Sequence, residues 1–92
     1  MISRSVTVVN PLGLHARAAA RFVQLAARFQ SQVRVARDAK IMDGKSIMGI
    51  LLLAAARGTT ITISADGADE QAAVEALAEL VGTGFGEATW NA

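Results

Sequence analysis

The sequence predicts an α+β sandwich, a four-stranded sheet with three helices covering one face in the order β-α-β-β-α-β-α. Four short stretches read as strands and three as helices. The 92 residues hold 48 apolar side chains, of which 19 are alanine. The larger ones suffice for one sheet packed against helices, in a globule of radius of gyration about 12 Å. A second core does not fit, so residues 1–92 are expected to form a single domain.

The first strand is carried by Ile2, Val6 and Val8, which alternate with Ser3, Ser5 and Thr7; only Arg4 interrupts the pattern. Asn10-Pro11 ends it, and Gly13 permits a tight connection. From Ala16 the period changes. Ala19, Phe22, Ala26 and Phe29 fall on one helical face, while Arg17, Arg21, Gln24 and Arg28 occupy another. Gln32–Arg37 and Lys40–Asp43 read as strands joined by a hairpin at Asp38-Ala39. Ser46 reads as the N-cap of a short helix starting at Ile47. From Thr59 to Ala65 the alternation puts Ile61, Ile63 and Ala65 inward and Thr60, Thr62 and Ser64 outward. Asp66-Gly67 turns the chain, and Asp69 is placed to cap a last helix from Glu70. That helix buries Ala73, Leu77, Leu80 and Val81, exposes Glu70, Glu75 and Glu79, and stops at Gly82 and Gly84. Periodicity leaves the strand order open, since the first six elements also suit a ferredoxin-like domain.

Composition excludes several function classes. With no cysteine there is no disulfide framework, Cys-based zinc site or thiol nucleophile. The apolar run Ile50–Ala56 is far too short to cross a bilayer, and no signal-peptide core is present, so a cytoplasmic address is expected. The net charge of +1 conceals a division along the chain. Residues 1–57 hold all nine basic side chains and two acids, Asp38 and Asp43, whereas residues 58–92 hold six acids and no Lys or Arg. One basic face suited to an acidic partner follows.

The lone histidine, His15, stands at the junction between the first strand and the first helix. A lone histidine is usually an ordinary surface residue, but this position argues otherwise. Helix N-termini present backbone N–H groups and the positive end of the helix dipole. Such a site suits a phosphoryl group and disfavours imidazolium, keeping the ring neutral and nucleophilic. Arg17 adds a cation able to hold phosphate oxygens. No triad motif surrounds His15, no second histidine completes a metal site, and no cofactor is implied. Gly-Lys-Ser at 44–46 lacks the upstream glycine of a nucleotide-binding loop, because position 39 is Ala. A phosphoryl acceptor without nucleotide-binding machinery implies that other proteins load and unload it.

In the second helix Ile47, Met48 and Leu51 cover one arc, while Ile50, Leu53 and Ala54 cover another. Either neighbours clamp the helix on both sides, or the first arc is an exposed patch that docks partners.

Gly-Leu-His-Ala-Arg at 13–17 and Lys-Ser-Ile-Met-Gly-Ile-Leu at 45–51 resemble HPr, the histidine-containing phosphocarrier family of the bacterial phosphotransferase system. Residues 53–59 and 65–70 extend the resemblance over nearly the whole chain. It implies an open-faced β-sandwich with an antiparallel sheet in the order 1-4-2-3. It also implies that His15 accepts a phosphoryl group from Enzyme I through Nδ1 and passes it to enzyme IIA domains, with Arg17 steadying the group. Ser46 matches the serine phosphorylated by HPr kinase/phosphorylase, and Ala16, Ala20, Gln24, Ile47, Met48 and Leu51 match the docking surface. The protein is then a carrier, not an enzyme, and is expected to be a monomer. Two positions depart from the common pattern: Ala18 where many members have proline, and Leu12 where sugar-transport members often have a small polar residue. Both features occur in nitrogen-type members of a regulatory phosphorelay, so the branch stays open.

A ferredoxin-like ligand-binding module is the competing class, and it has no need of His15. Sheet-based RNA recognition requires exposed aromatics for stacking, and none of the four strands contains Phe, Tyr or Trp, so no nucleic-acid partner is expected.

Overall fold

A computed structural model describes residues 1–89 of the chain. The elements are β1 (Ile2–Thr7), α1 (Ala16–Ala26), β2 (Gln32–Arg37), β3 (Lys40–Asp43), α2 (Ile47–Leu52), β4 (Thr60–Asp66) and α3 (Glu70–Gly82). All strand pairs are antiparallel and the sheet order is β1-β4-β2-β3, the order that the resemblance implies. The Cα radius of gyration is 11.8 Å, in line with one core.

The two-residue alternation decides which sheet face is dry. Val33, Val35, Ile61, Ile63 and Ala65 are buried beneath the helices, with Val6 opposite Ile61 and Val35 opposite Ile63. The other face is wet, and on it Ser3, Ser5 and Thr7 face Ser64, Thr62 and Thr60 through hydroxyl contacts of 2.9 to 3.4 Å. Val8 lies one residue past β1, fully buried, and its N–H still donates to Thr59 O at 2.9 Å. Helix α1 buries Ala18, Ala19, Phe22 and Ala26, and α3 buries Ala73, Val74, Leu77, Ala78 and Val81.

Five expectations need correction. The first helix ends at Ala26 instead of continuing to Phe29. Its last turn tightens through Arg28 N–H to Leu25 O and Phe29 N–H to Ala26 O, both 3.1 Å. The next two amides, of Gln30 and Ser31, donate to the Asp69 carboxylate at 2.8 and 2.9 Å. Asp69 therefore does not cap α3, although it stands at that helix's N-cap position. Glu70 is half-buried and accepts the Gly67 N–H at 3.1 Å; Leu80 is likewise half-buried. Ala54 lies outside the buried arc of α2, exposed and in the left-handed region at φ 50°. It follows a C-cap whose carbonyls are held from another element: Arg37 donates to Leu53 O at 2.9 Å and Ala54 O at 2.8 Å.

Past α3 the chain makes a 3-10 segment, Gly84–Thr89, which periodicity does not announce. Phe85 within it is 1% exposed, one of the largest side chains of the core, and holds a left-handed backbone conformation at φ 60°.

Candidate functional site

The loop from β1 to α1 is built to fix one residue. Gly13 takes φ +66°, and a Cβ there would lie 2.6 Å from Ala55 O, so only glycine suits the position. The Asn10 amide, buried at 2% exposure, donates to Gly13 O at 2.7 Å. Gly13 N–H donates to Asn10 O at 3.1 Å and Leu14 N–H to Ala55 O at 3.0 Å, tying the loop to the segment after α2. His15 follows as the N-cap residue of α1, with extended backbone (φ −75°, ψ 176°) and its carbonyl accepting the Ala19 N–H at 2.8 Å. Its imidazole makes no capping bond to the helix. Instead Nε2 lies 3.1 Å from Glu87 Oε2, the ring being 25% exposed. The ring therefore sits at the positive end of α1, where the first-turn amides face out of the helix.

Sequence reasoning finds His15 but misses Glu87. The same Glu87 oxygen accepts from Asn10 Nδ2 at 2.7 Å, so Asn10 braces both the histidine loop and its carboxylate partner. Burial pushes the Glu87 carboxyl up, but hydrogen bonds from Asn10, His15 and the Leu12 N–H, together with the His15 charge, more than offset it, and the carboxyl lies below its ordinary value of 4.5. The expected environment of the ring, helix amides plus Arg17, thus gains a negative charge. The only sequence signal for it is faint: Glu87 is the one acid beyond α3. Arg17 is exposed on the first turn of α1, one residue beyond Ala16.

Ser46 caps α2, its Oγ accepting the Gly49 N–H at 3.0 Å, as expected. Gly49 and Ile50 are buried, whereas Ile47 and Met48 are 45% and 65% exposed, so the helix is clamped on one side only. Leu51 is half-buried and packs partly against the core; Leu52, 54% exposed, adds to the apolar surface beside it. Helix α2 packs on α1, whose Ala16 and Gln24 are exposed and whose Ala20 is half-buried. Leu12, at 68% exposure, adds an apolar side chain to the histidine loop. Among the described residues no cluster of His, Cys, Asp and Glu could hold a metal ion, and no helix is long and apolar enough to cross a membrane.

Comparison with known proteins gives a consistent match. The family model PTS-HPr, the PTS HPr component phosphorylation site, matches residues 2–83. The chain is 51% identical over 87 residues to the phosphocarrier protein HPr of Cupriavidus necator, covering 95% of this chain and 98% of that protein. The crystal structure of HPr-C-His from Thermoanaerobacter tengcongensis superposes with a TM-score of 0.90 at 44% identity, covering 94% of this chain and 97% of that one. A phosphocarrier protein HPr from Bacillus anthracis superposes with a TM-score of 0.84 at 45% identity, covering 87% and 95%.

Proposed function

The chain belongs to the HPr family of phosphocarrier proteins of the phosphotransferase system, and on that premise we propose that His15 accepts a phosphoryl group from phospho-Enzyme I at Nδ1 and passes it to enzyme IIA domains. The observation that carries this reading is the place of His15, at the N-cap of α1 within the family-matched segment. The positive helix end receives the incoming anion, and Arg17 on the first turn steadies its oxygens. Ala16, Ala20, Gln24, Ile47, Met48 and Leu51 form the docking surface, on which apolar side chains give contact area and the basic α1 face attracts an acidic partner. Ser46, at the edge of that surface, is the site for an HPr kinase/phosphorylase. The chain works as a single cytoplasmic monomer, without a cofactor.

Incubation with Enzyme I and phosphoenolpyruvate, followed by mapping of the label, tests this. One acid-labile phosphoryl group on His15 is expected, and none on the His15→Ala variant. Labelling of that variant overturns the reading. A regulatory phosphorelay in place of sugar uptake is the second reading, favoured by Leu12 and Ala18. The enzyme IIA acceptors that discharge the labelled protein distinguish the two.

A further inference from the structure

His15 and Glu87 stand 72 positions apart in the chain, and Glu87 lies past the family-matched residues 2–83. Yet the Glu87 side chain is only 13% exposed and is held firmly against the ring. Phe85, sunk in the core two residues earlier, anchors the 3-10 segment, and Asn10 Nδ2 pins Oε2 at 2.7 Å. The remaining Asn10 donor is committed to Gly13 O, which fixes the amide's orientation. Burial opposes ionisation of Glu87, but hydrogen bonds from Asn10, His15 and the Leu12 N–H and the attraction of the His15 ring together outweigh it, so Glu87 is ionised at neutral pH. An ionised carboxylate only accepts hydrogen bonds. The hydrogen in the 3.1 Å contact therefore belongs to Nε2, and in a neutral imidazole the lone pair is then on Nδ1.

We propose that Glu87 is a positioning residue for phosphoryl transfer: it holds His15 as the Nε2–H tautomer, aims Nδ1 as the attacking atom, and neutralises the cation that transfer leaves on the ring. The inference rests on the phosphocarrier reading above. In the step itself the Nδ1 lone pair forms the N–P bond, while the donor's bond to phosphorus breaks and the donor keeps that electron pair. The Nε2 hydrogen stays on the ring, which becomes a phosphoimidazolium. A carboxylate already 3.1 Å from Nε2 meets that new charge without rearrangement. When the phosphoryl group leaves for an acceptor, the electron pair returns to Nδ1 and the original tautomer is restored.

The test pairs ring spectroscopy with transfer kinetics on the full chain. Nitrogen-15 NMR of the unmodified protein, at alkaline pH where the ring is neutral, is expected to show hydrogen on Nε2 alone. Glu87→Ala should admit the Nδ1–H tautomer and slow phosphoryl transfer from Enzyme I by roughly tenfold to a hundredfold, the range for loss of a hydrogen bond to a charged group. Glu87→Gln offers a carbonyl of the same shape, so it should keep the tautomer but lose the charge, with an intermediate rate. That near-isosteric variant separates the role from any loosening of the 3-10 segment. Hydrogen on Nδ1 in the unmodified protein, or transfer to Glu87→Ala within about twofold of the parent rate, overturns the proposal. Should the parent chain accept no phosphoryl group from Enzyme I, the phosphocarrier reading fails, and the tautomer measurement alone still decides what Glu87 does.

Discussion

At Ser46 one hydroxyl serves a structural bond and offers a site for charge. Its Oγ satisfies the Gly49 amide at 3.0 Å, and an N-cap lost to alanine typically costs about 1 kcal/mol. Ser46→Ala is therefore expected to lower the unfolding free energy from urea titration by that amount, with a lower midpoint and without changing the fold. Ser46→Asp keeps a capping oxygen and places negative charge at a helix N-terminus, where it is tolerated. That charge adjoins Ile47 and Met48, both exposed, where an apolar contact with a partner would have to desolvate it. Near-parental stability combined with a raised apparent KM of Enzyme I for the variant is expected; steady-state kinetics over a range of carrier concentrations measure it. The cap was legible from Ser46 preceding an apolar run. His15 was legible too, because a turn followed by a helical period marks a helix start. Glu87 was not, since a contact across 72 positions leaves no periodic trace.

Among the elements, the start of α3 and the end of α1 share one carboxylate. Asp69 lies below its ordinary value of 3.8, first through the Ser31 hydroxyl and then through the Gln30 amide, both of which favour the ionised form. Its contribution to stability is fully present above pH 3.8, the unfolded value, and is lost as pH falls through the lower folded value. Asp69→Asn should therefore be less stable than the parent at neutral pH, with the difference shrinking on acidification below 3.8. Urea titrations of both chains across pH 2 to 7 would show it; a constant difference would mean that the Asp69 charge is irrelevant. The 3-10 segment depends on Phe85 in the same way that α1 depends on Phe22, each 1% exposed. Truncating a buried phenylalanine costs about 3–5 kcal/mol. Phe85→Ala should lose stability on that scale and, by releasing the segment, weaken the Glu87 contact seen at the His15 ring by NMR. Sequence reasoning passed over this element because Gly84 and Gly86 around a single aromatic match neither a helical nor a strand period.

On the scale of the whole molecule, the charge division along the chain sets cations on α1 against exposed acids on α3. The α1 cations Arg17 and Arg21, with Arg28 in the turn that follows, belong to the basic portion, while Glu75 and Glu79 stand exposed on α3. Glu87 alone crosses from the acidic portion into the histidine site. If the basic side steers Enzyme I, association should slow by about tenfold as ionic strength rises from about 0.05 to about 0.5 M. Stopped-flow transfer at low carrier concentration measures this, and a salt-independent rate would assign docking to the apolar surface alone.

Local chemistry determined the elements. Alternation at Ile61, Ile63 and Ala65, the helical period through Ala19 and Phe22, and the cap at Ser46 each depend on neighbours a few residues away, and the structure places all of them as expected. The family motifs added the strand order, which no local pattern contains. Tertiary structure alone decided where Asp69 spends its hydrogen bonds, where Phe85 is buried, which side of α2 is covered, and that Glu87 meets His15. These outcomes depend on which surfaces remain unfilled and which polar groups remain unsatisfied once the sheet and helices have packed together. A buried amide or carboxylate takes the nearest partner in space, and that partner's place in the chain is unconstrained.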